Sequence, residues 1–200
     1  MSVTPLTWVR LEPMDLEELL EHEDGEVVPQ SAGVYAWRLS FVPPPDIVHS
    51  GSQLEEWVNR VCTRRTSVIS ETRISSSAFA AVRVGGIQLT ENKQGFLRKL
   101  CKDPRGRSFL LQYLSNLGHM APVLYVGQTD GLSGRARKHL QYKTDFANIL
   151  RRDYRLSFDD LVYEYCEVPL GSQKNSDSML TLLEMLAQRS LCPPGVTRSG

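Results

Sequence analysis

The sequence has no excess of charge of either sign: 23 Lys and Arg stand against 23 Asp and Glu, a formal net charge of zero. Nothing in that balance draws the whole chain to a polyanion or an anionic membrane. No apolar run approaches the roughly 20 residues of a membrane span. The N-terminal stretch MSVTPLTWVRLEPMDLEELL carries acids where a secretory signal needs bases and an apolar block. The chain therefore reads as cytoplasmic, with no membrane partner. Its four cysteines, Cys62, Cys101, Cys166 and Cys192, form no CxxC pair and sit beside no cluster of His. That spacing argues against a zinc centre and against a disulfide framework, and leaves reduced, mostly buried thiols. No internal repeat is visible, nor any linker dividing two full domains. What remains is 200 residues, 41% hydrophobic and 23% charged, the composition of one soluble globular domain with room for an insertion.

The neutral total hides a segregation. Eight acids (Glu12, Asp15, Glu17, Glu18, Glu21, Glu23, Asp24 and Glu26) meet only Arg10 in the first thirty residues. Lys93, Arg98, Lys99, Lys102, Arg105 and Arg107 crowd residues 91–107. Arg135, Arg137, Lys138, Lys143, Arg151, Arg152 and Arg155 crowd residues 131–155. Two basic segments in a neutral chain suit a positive face for nucleic acid, although solvated helix faces carry such runs too.

Periodicity and punctuation give the elements. PMDLEELLEHEDG reads as a short amphipathic helix with Leu16, Leu19 and Leu20 as its stripe and Gly25 as a stop. GVYAWRLSFV, at 33–42, suits a strand ended by three prolines. Residues 52–62 have helical period, and the Ser/Thr-rich stretch 66–77 reads as a loop. FAAVRVGGIQLT places Gly85 and Gly86 between two β-like runs, a hairpin signal. Residues 91–119 read as helix broken near Pro104 and Gly106. VLYVG is a compact buried strand, RARKHLQY and DFANILRRDY are helices, LVYEYCEV is a strand, and MLTLLEMLAQRSL is an apolar helix stopped by Pro193 and Pro194.

Within LYVGQTDGLSGRARKHL the strand is followed at once by cations. Arg135 and His139 stand four apart and share a helix face, with Leu132, Ala136 and Leu140 as the neighbouring apolar stripe. An Arg and a His anchored in that way can grip a phosphate; a solvated surface helix explains the same spacing. Glu184 sits in the apolar helix, with Leu180 a turn before it and Ala187 and Gln188 a turn after. A shielded carboxylate there needs a cation or hydrogen-bond donor, either a divalent metal or an Arg.

Two tripeptides, Gly33-Val34-Tyr35 and Tyr125-Val126-Gly127, followed by Arg135, His139 and then Glu184, resemble the ordered signature of the GIY-YIG nuclease superfamily. The resemblance covers roughly 31–41 and 121–195. It implies an α+β fold, a small three-stranded antiparallel sheet flanked by helices, with an α/β subdomain inserted. The expected division is an acidic N-terminal helical arm at 1–30, a nuclease core at 31–41 and 121–200, and an insertion at 42–120. Two departures stand out: about eighty residues separate signatures that most members join by a short hairpin, and the Asn that usually follows the Glu helix is absent. Thr197, Arg198 or Ser199 would have to replace it. Gln128 occupies the place where some members carry a Lys, which excludes a mechanism using that Lys as base.

By the same resemblance the chain is a metal-dependent endonuclease of double-stranded DNA, of restriction or phage-defence type, leaving 5′-phosphate and 3′-hydroxyl ends. Tyr35, Tyr125, Arg135, His139 and Glu184 are its expected catalytic residues. Glu184 holds one Mg²⁺ or Mn²⁺, which stabilises the departing 3′-oxygen. Tyr35 activates water, its phenolate favoured by the metal, Arg135 and a protonated His139; Arg135 meets charge on the phosphoryl oxygens, and Tyr125 orients water or phosphate. Lys93, Arg98, Lys99, Lys102, Arg105, Arg107, Lys138, Arg151 and Arg152 are the expected DNA contacts, with Arg155 beside them. For the insertion three readings stand: DNA recognition, a docking surface for a protein partner anchored by Trp57 and Phe109, or a packed elaboration without contacts. A homodimer is expected if both strands are cut. The alternative to an enzyme is a catalytically weak or inactive nuclease-fold module that binds nucleic acid or regulates a larger complex.

Overall fold

The computed structural model describes residues 6–21, 27–63, 68–73, 79–84, 89–154, 156–169 and 176–191. In chain order the elements are β1 (Trp8–Leu11), α1 (Pro13–Glu21), β2 (Gly33–Leu39), α2 (Pro45–Val48), α3 (Gly51–Thr63), β3 (Val68–Arg73) and β4 (Phe79–Val84). They continue as α4 (Glu91–Lys102), α5 (Pro104–Gly118), β5 (Val123–Thr129), α6 (Leu132–Leu140), α7 (Asp145–Arg152), β6 (Leu161–Glu167) and α8 (Ser176–Leu191), with one 3₁₀ turn at Phe158–Asp160. Local chemistry sets several boundaries. Asp15 accepts from the Glu12 N–H at the start of α1, and Asp103 accepts from the Gly106 N–H while Pro104 opens α5.

The chain forms two compact units. The first, Met1–Leu39, Ile69–Val82 and Pro122–Gly200, is built on an antiparallel sheet in the order β1-β6-β2-β5. The fold is α+β, and the sheet has four strands rather than the expected three. The fourth is β1, where the alternation in WVRL pairs with β6 from Trp8↔Cys166 to Leu11↔Tyr163. The N-terminal segment is thus woven into the first unit, and Leu16 and Leu19 of α1 are buried. On one sheet face Glu164 of β6 takes Arg10 of β1 at 3.5 Å and Arg38 of β2 at 3.1 Å, one carboxylate joining three neighbouring strands. Val34, Ala36, Val123 and Val126 on that same face pack against Leu180, Leu183 and Ala187 of α8.

The second unit, Ser40–Val68 and Arg83–Ala121, has its own core: Leu54, Trp57 and Val58 of α3, Leu97 and Cys101 of α4, and Leu110 and Leu114 of α5. Trp57 is therefore a core residue and not a docking anchor; its place in the 3.6 period of α3 puts it with Leu54 on the inward stripe. Phe109 is exposed. β3 and β4 pair with each other as a separate two-stranded sheet. The stretch expected as a loop thus contains a strand, because Val68, Ile69 and Thr72 are β-branched and favour extended backbone. Gly85, Gly86 and the C-terminal trio Thr197, Arg198 and Ser199 lie outside the described residues, as does Arg155.

Removing Trp57 tests its place in the core. Trp57→Ala is expected to cost about 3–5 kcal/mol of stability by chemical denaturation; an exposed docking residue would cost almost nothing.

Candidate active site

Cross-strand register assembles the site. On β2, Gly33, Tyr35 and Trp37 share a face; on β5, Tyr125 and Gly127 lie opposite, with Tyr35 paired to Gly127 and Trp37 to Tyr125. A Cβ on Gly127 would stand 2.6 Å from the Tyr35 hydroxyl and 2.9 Å from Cε1 of Tyr125. The last Gly of the second tripeptide is thus the space into which the Tyr of the first one extends. A Cβ on Gly33 would meet the Cys166 carbonyl oxygen at 2.5 Å and Cδ1 of Leu132 at 2.8 Å, so that glycine lets α6 close onto the sheet.

Leu132 and Ala136 anchor α6, and this orientation delivers Arg135 and His139 to Tyr35. Arg135 Nε donates to the Tyr35 hydroxyl oxygen at 3.0 Å, and that hydroxyl lies 2.9 Å from His139 Nε2. The Tyr125 ring packs beside this pair, 6.0 Å from the Tyr35 ring and 5.6 Å from the imidazole. His139 Nδ1 lies 2.7 Å from Thr144 Oγ1, which also accepts from the Ala147 N–H as the cap of α7. The chain reaches Thr144 through a sharp reversal after α6, with Tyr142 at φ 55 and its ring 5.3 Å from Phe158. Two proton arrangements satisfy this row. Either Tyr35 donates to Nε2 while Nδ1–H donates to Thr144, or Thr144 donates to Nδ1 while Nε2–H donates to Tyr35.

Burial sets the protonation states. Tyr35 and His139 are both 0% exposed, and the rings of Tyr35, Trp37, Tyr125, Phe146 and Phe158 surround the imidazole. Desolvation, helped by the Arg135 charge, pushes His139 down to about 3, so the imidazole is neutral at physiological pH. Desolvation also holds the Tyr35 phenol well above its ordinary value, with Arg135 opposing. The expectation of a protonated His139 that favours a Tyr35 phenolate is therefore corrected: the free site holds a neutral phenol and a neutral imidazole.

The solvent side is a cleft of about 520 Å³ lined by Gln128, Thr129, Gly131, Gly134, Arg135 and Lys138. A second recess of about 210 Å³ shares Gln128 and Thr129 and adds Asp130, Asp177 and Leu180. Glu184 on α8 is half-buried. Burial raises its carboxyl, against a 3.0 Å hydrogen bond from Gln188 and the charge of Arg135. Gln128 Nε2 bonds Thr181, one turn from Glu184, while Gln128 Oε1 is buried with no hydrogen-bond partner among the described residues. One half-buried carboxylate and an unused amide oxygen fit a hard cation that keeps most of its ligands as water or phosphate. Among the described residues no group of three or more His, Cys, Asp or Glu converges.

Arg135, Tyr35 and His139 thus meet in one hydrogen-bonded row with the Tyr125 ring beside it, and the charge of Arg135 reaches Glu184. Of the expected DNA contacts, Lys138 lines the cleft, and Arg151 and Arg152 are exposed on α7, Arg152 paired with Asp153 at 2.7 Å. The other six lie in the second unit. Arg98 is bound to Glu55, and Arg107 donates to the Cys101 and Lys102 carbonyls, while Lys93, Lys99, Lys102 and Arg105 are exposed. Sequence reasoning missed Thr144, signalled only as a cap residue before Asp145, and Tyr163. Tyr163 is buried 5.7 Å from the Tyr35 ring, and its hydroxyl has no hydrogen-bond partner among the described residues. No protein-family model, curated protein or solved structure matches the chain.

Two outcomes follow from this geometry. Gly127→Ala is expected to cost about 1–3 kcal/mol through overpacking. Gly134→Ala, whose Cβ would meet nothing within 4 Å, is expected to leave denaturation unchanged or slightly improved. For His139, the folded pKa lies below the unfolded value near 6.5, so its contribution is complete above pH 6.5 and lost as pH falls toward 3. From pH 7 to pH 5 the protein is expected to lose about 2 kcal/mol through this group. Denaturation curves on wild type and His139→Gln check it, since the variant lacks this component.

Proposed function

We propose that the chain is a GIY-YIG-type, metal-dependent endonuclease that hydrolyses DNA phosphodiesters to 5′-phosphate and 3′-hydroxyl ends. The observation that carries the reading is the convergence of Arg135, Tyr35 and His139 in one hydrogen-bonded row, with the Tyr125 ring packed against it, beside a cationic cleft. A satisfied aromatic core needs neither an Arg nor a His at its centre, and desolvating both is costly.

The phosphodiester lies in the cleft against Arg135 and Lys138, and Arg135 meets the charge that grows on the phosphoryl oxygens. Tyr125, half-buried, is the hydroxyl nearest the attacking water, and Tyr35 stands behind it. As water attacks phosphorus, its proton passes to the tyrosine pair and the Tyr35 proton moves to His139 Nε2, with Nδ1–H held by Thr144. The phosphorus–3′-oxygen bond breaks, and the departing oxygen takes its proton from solvent. The anionic substrate raises the proton affinity of the imidazole, offsetting the effect of burial. Glu184 would hold a divalent ion, whose positive charge would stabilise the departing oxygen. The inward placement of Tyr35 also favours a second reading, a nuclease-fold module that binds nucleic acid without cutting it.

Cleavage of supercoiled plasmid with Mg²⁺ or Mn²⁺ separates the two. Nicking is expected in wild type and is expected to fall at least a hundredfold in Glu184→Ala and Tyr35→Phe, with DNA binding retained. Binding without cleavage by the wild type favours the module.

A further inference from the structure

The second unit displays what its own core does not use. On α5, Gly106, Leu110, Leu114 and Gly118 form the buried row, and Arg105, Phe109 and Tyr113 form the neighbouring row at intervals of four. Phe109 is 63% exposed and Tyr113 54%. No acidic residue occurs anywhere in α5. On α4, Phe96 is 64% exposed, and exposed Lys93 and Lys99 stand three residues to either side. α4 thus carries one large solvent-facing ring and α5 carries two, on faces that also hold exposed cations.

An ordinary solvated face would not hold three such rings, because each keeps apolar area in water. A partner must cover the rings and welcome the cations together. An unpaired nucleotide does both, since every base has a face that stacks on an aromatic ring and every linkage carries a negative charge. The bases of a closed duplex are already stacked on one another and offer no such face.

We infer that the outer faces of α5 and α4 form a stacking surface for unpaired bases, with Arg105, Lys93 and Lys99 on the phosphates. The substrate class is then DNA with a single-stranded segment, such as a fork or flap, in place of a plain duplex. This rests on the reading of the ligand as nucleic acid, but it does not depend on cleavage.

The test uses the full chain in EDTA and the fluorescence anisotropy of labelled oligonucleotides: a single strand, a forked duplex and a blunt duplex. The single strand and fork are expected to bind more tightly than the blunt duplex. Phe109→Ala and Tyr113→Ala should each lose roughly tenfold on the unpaired ligands, with an unchanged dependence on salt. Arg105→Ala should instead reduce the slope of log affinity against log salt by about 0.7. Phe109→Trp should bind like wild type and Phe109→Leu like the Ala variant, because stacking needs a ring and mere burial does not. The inference is overturned if Phe109→Leu binds like wild type, if the aromatic variants lose equally on all three ligands, or if gel filtration shows a dimer that Phe109→Ala dissociates. Wild type that binds no DNA overturns this inference and the nuclease reading together; binding of the unpaired ligands that is indifferent to Phe109 and Tyr113 overturns this one alone.

Discussion

The buried row Arg135, Tyr35, His139 and Thr144 is the constraint on which the first unit depends. It ties β2 to α6 and the start of α7, with Tyr35 and His139 closed off from water and Arg135 at the cleft end. Removing any one member leaves its neighbours with unused donors or acceptors in a low-dielectric surround, at about 1–3 kcal/mol each. The aromatic packing around it has the same effect, since Tyr125 stacks on Phe146 at 4.5 Å and Trp37 packs tilted against Phe158 at 4.7 Å. The arrangement holds the rings of this row in one packing and leaves little room for rearrangement.

The same burial decides which chemistry is open to the site. In water a Tyr and a His at neutral pH would be an acid and a partly charged base; here both are neutral, and only Arg135 keeps a permanent charge. Arg135 is thus a cation already held in place by its hydrogen bond to Tyr35, beside two neutral groups that share a hydrogen bond. Elsewhere cations and acids cancel locally, as Arg10 and Arg38 do on Glu164 and Arg98 does on Glu55. The balance of the whole chain thus says little about any one face.

The helices were legible because period and caps are local properties: Pro104 after Asp103 splits α4 from α5, and Leu132 and Ala136 mark the inward side of α6. The tripeptides placed Tyr35 and Tyr125 on strands, and their neighbours Gly33 and Gly127 have a steric reason that only the paired strands reveal. β1 was not legible, since four residues in an acid-rich segment give too short an alternation and its partner lies about 150 residues away. β3 was hidden by its Ser and Thr content. The protonation of His139 was out of reach for another reason: a pKa is set by what surrounds the ring, and those five aromatic side chains come from four separate stretches of the chain.

The second unit leaves and re-enters the sheet where the Leu39 N–H donates to the Pro122 carbonyl at 3.3 Å. The two strands that carry the signature tripeptides are thus hydrogen-bonded neighbours in space but distant in sequence, and their pairing has to close a loop of about eighty residues. In an unfolded chain that closure is slow and entropically unfavourable. The pairing of β2 with β5 is thus a long-range contact whose formation costs chain entropy. A change anywhere in the intervening residues that stiffens or shortens the unfolded loop acts on the site without touching it.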